Sequence, residues 1–247
     1  MNKTIAAGGL ALALTLAGCE RGSSNDVDAP AANTAGPITQ VPAPNNGNWT
    51  EVVSQTPDGG FRMGNPDARV KVVEYASMTC PHCQRFSAEA SERLRSEYVR
   101  SGQVSFEFRN YVLNPLDAAV AMVARCQGPS AFFRLTEQLF AEQETWAAAV
   151  TQDESEQISQ LPEAQQLAAY IQAADLGPFF GRRGVPQARI NQCLANQGEL
   201  QRMARMRDVA VNQHRVEGTP NFLVNGELQD ASTWEGLEPI IRQRIGG

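Results

Sequence analysis

The chain of 247 residues has only two histidines and five cysteines. Two histidines leave little material for a zinc cluster, and five cysteines are too few for a disulfide-built scaffold, so the cysteine positions must carry the reading. Basic charge is scarce as well: 21 Lys and Arg stand against 27 Asp and Glu, a net charge of −6. No stretch gathers enough Arg and Lys to reverse that locally, so nucleic acid is not an expected partner. The chain also lacks any apolar run of the roughly 20 residues that a membrane-spanning helix needs. What it does have, 42% hydrophobic residues, suffices for a buried core of one to two domains and excludes disorder of the whole chain.

The cysteines are Cys19, Cys80, Cys83, Cys126 and Cys193, an odd set. Lys3 followed by the uncharged, Ala- and Leu-rich run from Thr4 to Ala17 reads as a secretory signal over residues 1–18. Leu16-Ala17-Gly18-Cys19 resembles the lipobox of bacterial lipoproteins. That resemblance implies cleavage before Cys19, acylation of its sulfur and new amino group, and anchorage in a lipid bilayer, which accounts for the odd cysteine. Glu20 in the next position resembles lipoproteins sorted to the outer membrane rather than kept at the inner one. Residues 19–48, rich in Pro, Gly, Ser, Ala and Asn, then read as a lipidated cysteine with a flexible tether.

From Trp49 the pattern changes. Trp49 to Ser54 and Phe61 to Gly64 are expected edge strands, Val70 to Tyr75 a central strand, Cys83 to Tyr98 a helix, and Val104 to Tyr111 a second strong strand. Residues 115–214 carry no convincing strand. Apolar residues at helical spacing recur there, as Leu116, Ala119, Val120, Val123, then Phe132, Phe133, Leu135, Leu139, Phe140, then Leu167, Tyr170, Ile171, then Ile190, Cys193, Leu194, then Leu200, Met203, Met206, Ala210. Strand character returns at Asn221 to Val224, ahead of Asn225-Gly226, a hairpin signal, and a closing helix from Thr233 to Arg244. The reading is an α/β domain over 49–114 and 215–247, interrupted by an all-helical insertion over 115–214, because neither strand-bearing piece has enough sheet to fold alone.

Cys80-Pro81-His82-Cys83 falls where the central strand gives way to a helix. A cysteine at a helix start lies beside unpaired backbone N–H groups and the positive end of the helix dipole, which favour thiolate. Pro81 suits the first helical position, and His82 can add a positive charge or a donor. Cys80 is thus the expected exposed, reactive thiol and Cys83 the shielded partner that resolves a mixed disulfide. A structural disulfide and half of a metal site are the alternatives for such a pair.

The run Glu74-Tyr75-Ala76-Ser77-Met78-Thr79-Cys80-Pro81-His82-Cys83-Gln84-Arg85-Phe86, with Gly64-Asn65-Pro66-Asp67-Ala68 upstream and Gly218-Thr219-Pro220-Asn221-Phe222-Leu223-Val224-Asn225-Gly226 downstream, resembles the DsbA-like thiol:disulfide oxidoreductases. The resemblance covers about residues 61 to 245 and implies a thioredoxin-like fold with a helical insertion. It implies Cys80 as nucleophile, Cys83 as partner, His82 tuning the pair, a cis Pro220 with Thr219 offering backbone hydrogen bonds to an extended substrate, and Glu74 as a buried acid near Cys83. Thr219 departs from the best-known member, which has Val there. Cys126 and Cys193 resemble the second disulfide found in some bacterial members; free buried cysteines are the other reading. No cofactor beyond the Cys80–Cys83 disulfide, and no metal, is expected. The implied partners are reduced or misoxidised secreted proteins and a membrane-linked redox protein, met by a monomer. An oxidase is the leading expectation, with an isomerase or reductase second and a non-enzymatic, peptide-binding envelope lipoprotein third.

Overall fold

The computed structural model describes residues 38–246. The expected secretory segment, Cys19 and the expected tether up to residue 37 lie outside the described residues. Residues 38–48, the described part of that expected tether, are held to the body. Val41 N–H donates to the Ser101 carbonyl (2.7 Å), the buried Trp49 indole donates to the Val41 carbonyl (2.8 Å), and Ile38 packs on the core. Composition marks residues 38–48 as linker, yet one isoleucine, one valine and the tryptophan fix them to the body.

Six strands form one sheet in the order β1-β2-β4-β3-β5-β6, with β1 Val53–Gln55, β2 Phe61–Gly64, β3 Val70–Ala76, β4 Val104–Asn110, β5 Asn221–Val224 and β6 Glu227–Leu228. The β-branched run of β3 and the run of β4 pair in parallel, Val70 opposite Val104. Between them runs helix α1, Pro81–Arg93, continuing in a wider-wound helical turn over Leu94–Val99. On its other side β3 pairs antiparallel with β5, Tyr75 opposite Asn221. That register brings the residues just before β5 to the same end of the sheet as the head of α1.

Two expectations need correction here. Trp49–Glu51 is a single helical turn, capped by the Asn48 side chain accepting from Thr50 N–H, so the first strand starts only at Val53. And β2 is not an edge strand, because β1 covers its outer side while β4 pairs with its inner side.

Period-two alternation divides β3 between two cores. Val72 and Ala76 join Phe222, Val224 and Phe108 beneath α1 and the last helix, α10 Trp234–Gly246. There Phe86 of α1 meets Phe222 at 4.6 Å between ring centroids. Val73 and Tyr75 face the other way, onto Tyr111, Ala210, Val216 and Leu223. The β5–β6 hairpin turns through Asn225 and Gly226 at φ 52° and 86°, the left-handed pair that a two-residue turn of this hand requires.

Between β4 and β5 the described chain is helical throughout: α2 Pro115–Cys126, α3 Pro129–Ala141, α4 Gln143–Ala148, α5 Gln152–Ser159, α6 Glu163–Ala173, α7 Leu176–Gly181, α8 Gln187–Leu194 and α9 Gln197–Asn212. The molecule is a mixed α/β, thioredoxin-like sheet with a large inserted helical part. Helix α2 is buried all round, every residue from Leu116 to Arg125 being enclosed, as an apolar helix at the centre of a bundle must be. The helical spacing of apolar residues marks α2, α3, α6, α8 and α9. Helices α4, α5 and α7, six to eight residues long and burying two, one and three residues, are too short to show such a spacing. Cys126 at the end of α2 is bonded to Cys193 in α8.

Candidate active site

Cys80 is the N-cap of α1, with extended backbone, and Pro81 occupies the first helical position, where a missing N–H costs nothing. The expected exposure of Cys80 is not found. The residue is only 5% accessible and Cys83 wholly buried. Segments carrying Thr219 and Gln143 lie against it: Cys80 Sγ is 3.3 Å from the Thr219 carbonyl, to which it donates when protonated, and the Gln143 amide donates to the Cys80 carbonyl (3.0 Å). The Thr219–Pro220 peptide bond is cis, and Pro220 is buried. His82 is exposed and reaches Cys80 through its backbone N–H rather than its ring.

The two thiols titrate in opposite directions. A hydrogen bond from Cys83, opposed by burial and assisted by the Thr219 side chain and the Cys83 and His82 backbone N–H groups, lowers Cys80 to about 5. Burial pushes Cys83 well above the ordinary thiol range, and its hydrogen bond to Cys80 and the charges of Glu74 and Cys80 push it further. At neutral pH the pair therefore holds one thiolate and one thiol, the combination that thiol exchange uses. Glu74, in mid-β3, is 3% accessible, and burial followed by the charge of Cys80 raises it to about 8. It is an uncharged carboxyl at neutral pH.

Sequence reasoning missed the residues that hold the loop before Cys80. Asp117 is fully buried and accepts from Met78 N–H through Oδ1 (2.8 Å) and from Leu113 N–H through Oδ2 (2.9 Å). Burial raises its carboxyl to about 6 against these hydrogen bonds. The Gln143 amide donates to the Met78 carbonyl (2.8 Å) as well as to that of Cys80. Asn114 caps α2 by accepting from Asp117 N–H and donates to the Thr79 hydroxyl (2.9 Å). Asn-Pro-x-Asp is an ordinary helix-start pattern; nothing in it shows that the carboxylate turns back to the strand-to-helix loop.

Among the described residues no group of three or more His, Cys, Asp or Glu side chains could hold a metal ion. A thioredoxin fold with a thiolate–thiol pair at the head of its first helix defines a class of redox protein. The family model for thioredoxin matches residues 56–243, and the chain belongs to that family, as an oxidoreductase. A solved structure named protein-disulfide isomerase from Novosphingobium aromaticivorans is 31% identical, with a TM-score of 0.72 over 75% of this chain and 97% of that one. At 18% identity, alpha-DsbA1 of Wolbachia pipientis shares the fold, with a TM-score of 0.62 over 80% of this chain and 96% of its own. A Rickettsia felis protein provisionally named a protein-disulfide oxidoreductase is 24% identical over 83% of this chain and 73% of its own length. Against four further Rickettsia relatives the chain spans 57% to 63% of their length.

Proposed function

We propose that the protein is an extracytoplasmic thiol:disulfide oxidase that passes the Cys80–Cys83 disulfide to reduced client proteins. The observation that carries this reading is the placement of the pair, with Cys80 at the head of α1 against Thr219 of the cis Thr219–Pro220 bond and Cys83 wholly buried behind it; that placement lowers Cys80 and raises Cys83. In the first step a client thiolate attacks Cys80 Sγ, the Cys80–Cys83 bond breaks, and Cys83 leaves with the electron pair. Cys83 then takes a proton, for which the neutral Glu74 carboxyl is the donor. In the second step another client thiolate attacks the client's own sulfur in the mixed disulfide, and Cys80 leaves as a stable thiolate. The client loses two electrons and the enzyme gains them; a membrane-linked redox partner of disulfide or quinone chemistry takes them away. Thr219 and Pro220, against Cys80, would receive the extended client chain through backbone hydrogen bonds.

Isomerase action is the second reading, favoured by the name of the 31%-identical Novosphingobium protein. The test is a pair of assays on one client: oxidation of its reduced form and rescue of its scrambled form. The account expects stoichiometric oxidation by the disulfide form and weak rescue. Strong rescue with little oxidation would reverse the order of the two readings. The Cys126–Cys193 bond is proposed as structural. Acylation of Cys19 is proposed to tether the enzyme to the periplasmic face of the outer membrane; among the described residues no helix is long and apolar enough to cross a membrane.

A further inference from the structure

Glu74 lines a partly open cavity of about 40 Å3 whose wall includes Phe86, Phe106, Phe108, Phe133 and Phe140. Thr136 of α3, 4% accessible, lines it too. Neither Glu74 Oε1 nor Thr136 Oγ1 has a hydrogen-bond partner in the protein. Buried polar atoms without partners are rare, and two on one cavity mark a place where water binds; the volume has room for two or three molecules. A purely apolar cavity of that size stays dry, and these two atoms are what sets this one apart. Ser87 and Ser91, hydrogen-bonded to each other at 3.1 Å, line both this cavity and an outer groove between α1 and α3. Across the mouth Arg95 pairs with Glu137 at 2.9 Å.

We propose that Thr136 holds a water molecule against Glu74, and that the route from this water past Ser87 and Ser91 is how Glu74 exchanges its proton with solvent. The inference rests on the proposed oxidase and completes its proton balance: Glu74 gives a proton to departing Cys83 and recovers one from bulk water through the cavity. The charged or titratable groups around Glu74 are Cys80 at the N-cap of α1 and Cys83 in its first turn, with Arg95 and Glu137 at the mouth. Thr136 acts through the water and is a positioning residue.

The test compares wild type with Thr136→Val and Thr136→Ser. The infrared carboxyl band of Glu74, identified by subtracting the Glu74→Gln spectrum, should move to the higher frequency of an unbonded carboxyl in Thr136→Val and return in Thr136→Ser. Single-turnover oxidation of a dithiol peptide should slow roughly tenfold in Thr136→Val, the worth of one hydrogen bond to a charging group, with a changed pH profile. If Thr136→Val does not fold, Ser87→Ala with Ser91→Ala should slow turnover and leave the band in place. A band and pH profile unmoved in folded Thr136→Val, or an unslowed double serine variant, would overturn the proposal. A wild type that oxidises no dithiol would defeat the proposed function instead, while the carboxyl band would still decide whether Thr136 holds the water.

Discussion

Cys80 and Cys83 stand one helical turn apart, yet their surroundings oppose each other. Cys80 faces the unpaired N–H groups of the first turn, and Cys83 faces Glu74 and the apolar core. Alkylation of the reduced protein should therefore report a Cys80 midpoint near 5, with Cys83 unlabelled until far higher pH; Cys80→Ser should abolish exchange, and Cys83→Ser should accumulate mixed disulfides. Equal labelling of both thiols would contradict this. Because Cys80 is lowered on folding, it stabilises the reduced native state fully above about pH 9, and that stability is lost as pH falls through about 5. Glu74 has the opposite sign. Its raised titration means that ionising it in place disfavours the native state progressively between about 4.5 and about 8. Glu74→Gln should thus gain on wild type across that window by an amount on the order of a few kcal/mol, read from denaturant unfolding at several pH values. The slope of the difference is the test; a constant difference would mean that Glu74 titrates in the folded protein as it does in the unfolded chain.

At the level of elements, the inserted helices do more than cover the sheet. Helix α2 sends Asp117, and α4 sends Gln143, to the loop that carries Met78 and Cys80. Gln143→Leu would leave two buried carbonyls without this donor, so it should lower stability by roughly 1 to 3 kcal/mol and slow client oxidation. An unchanged melting temperature and rate would show the loop to be held without it. The Cys126–Cys193 bond ties α2 to α8 across 67 positions of sequence. Its removal by double Ala substitution should cost up to roughly 4 kcal/mol on the chain-entropy estimate and leave turnover at Cys80 largely intact. Loss of exchange in a folded double variant would show that the bond acts on the site through α2. Neither Gln143 nor Asp117 was legible as a site residue. Gln143 opens a six-residue helix too short and polar to set up a periodicity, and a carboxylate at a helix start is read locally as a cap.

For the molecule as a whole, the strands that frame the site were legible because β-branched runs bury both faces and Asn225-Gly226 forces its turn. Proximity was legible only through resemblance: nothing in the spacing of Cys80 and Thr219, 139 positions apart, says that they touch. The burial of Cys80 likewise depends on residues from two distant segments, which a helix-start argument does not see. At the chain's other end, Cys19 predicts an acylated N-terminal peptide by mass spectrometry and loss of membrane partition in Cys19→Ala; an intact Met1 in the mature protein would contradict it. The central claim is that stabilising the Cys80 thiolate makes this disulfide an electron acceptor. Two decades of thiolate stabilisation between pH 5 and 7 raise a two-electron potential by roughly 60 mV over an unperturbed pair, before solvent screening reduces it. Equilibration of the Cys80–Cys83 pair with glutathione at pH 7 tests this most directly. The account predicts a potential above about −200 mV, on the oxidising side of the glutathione pool; a value at or below about −270 mV, in the range of thioredoxin-type reductants, would contradict it.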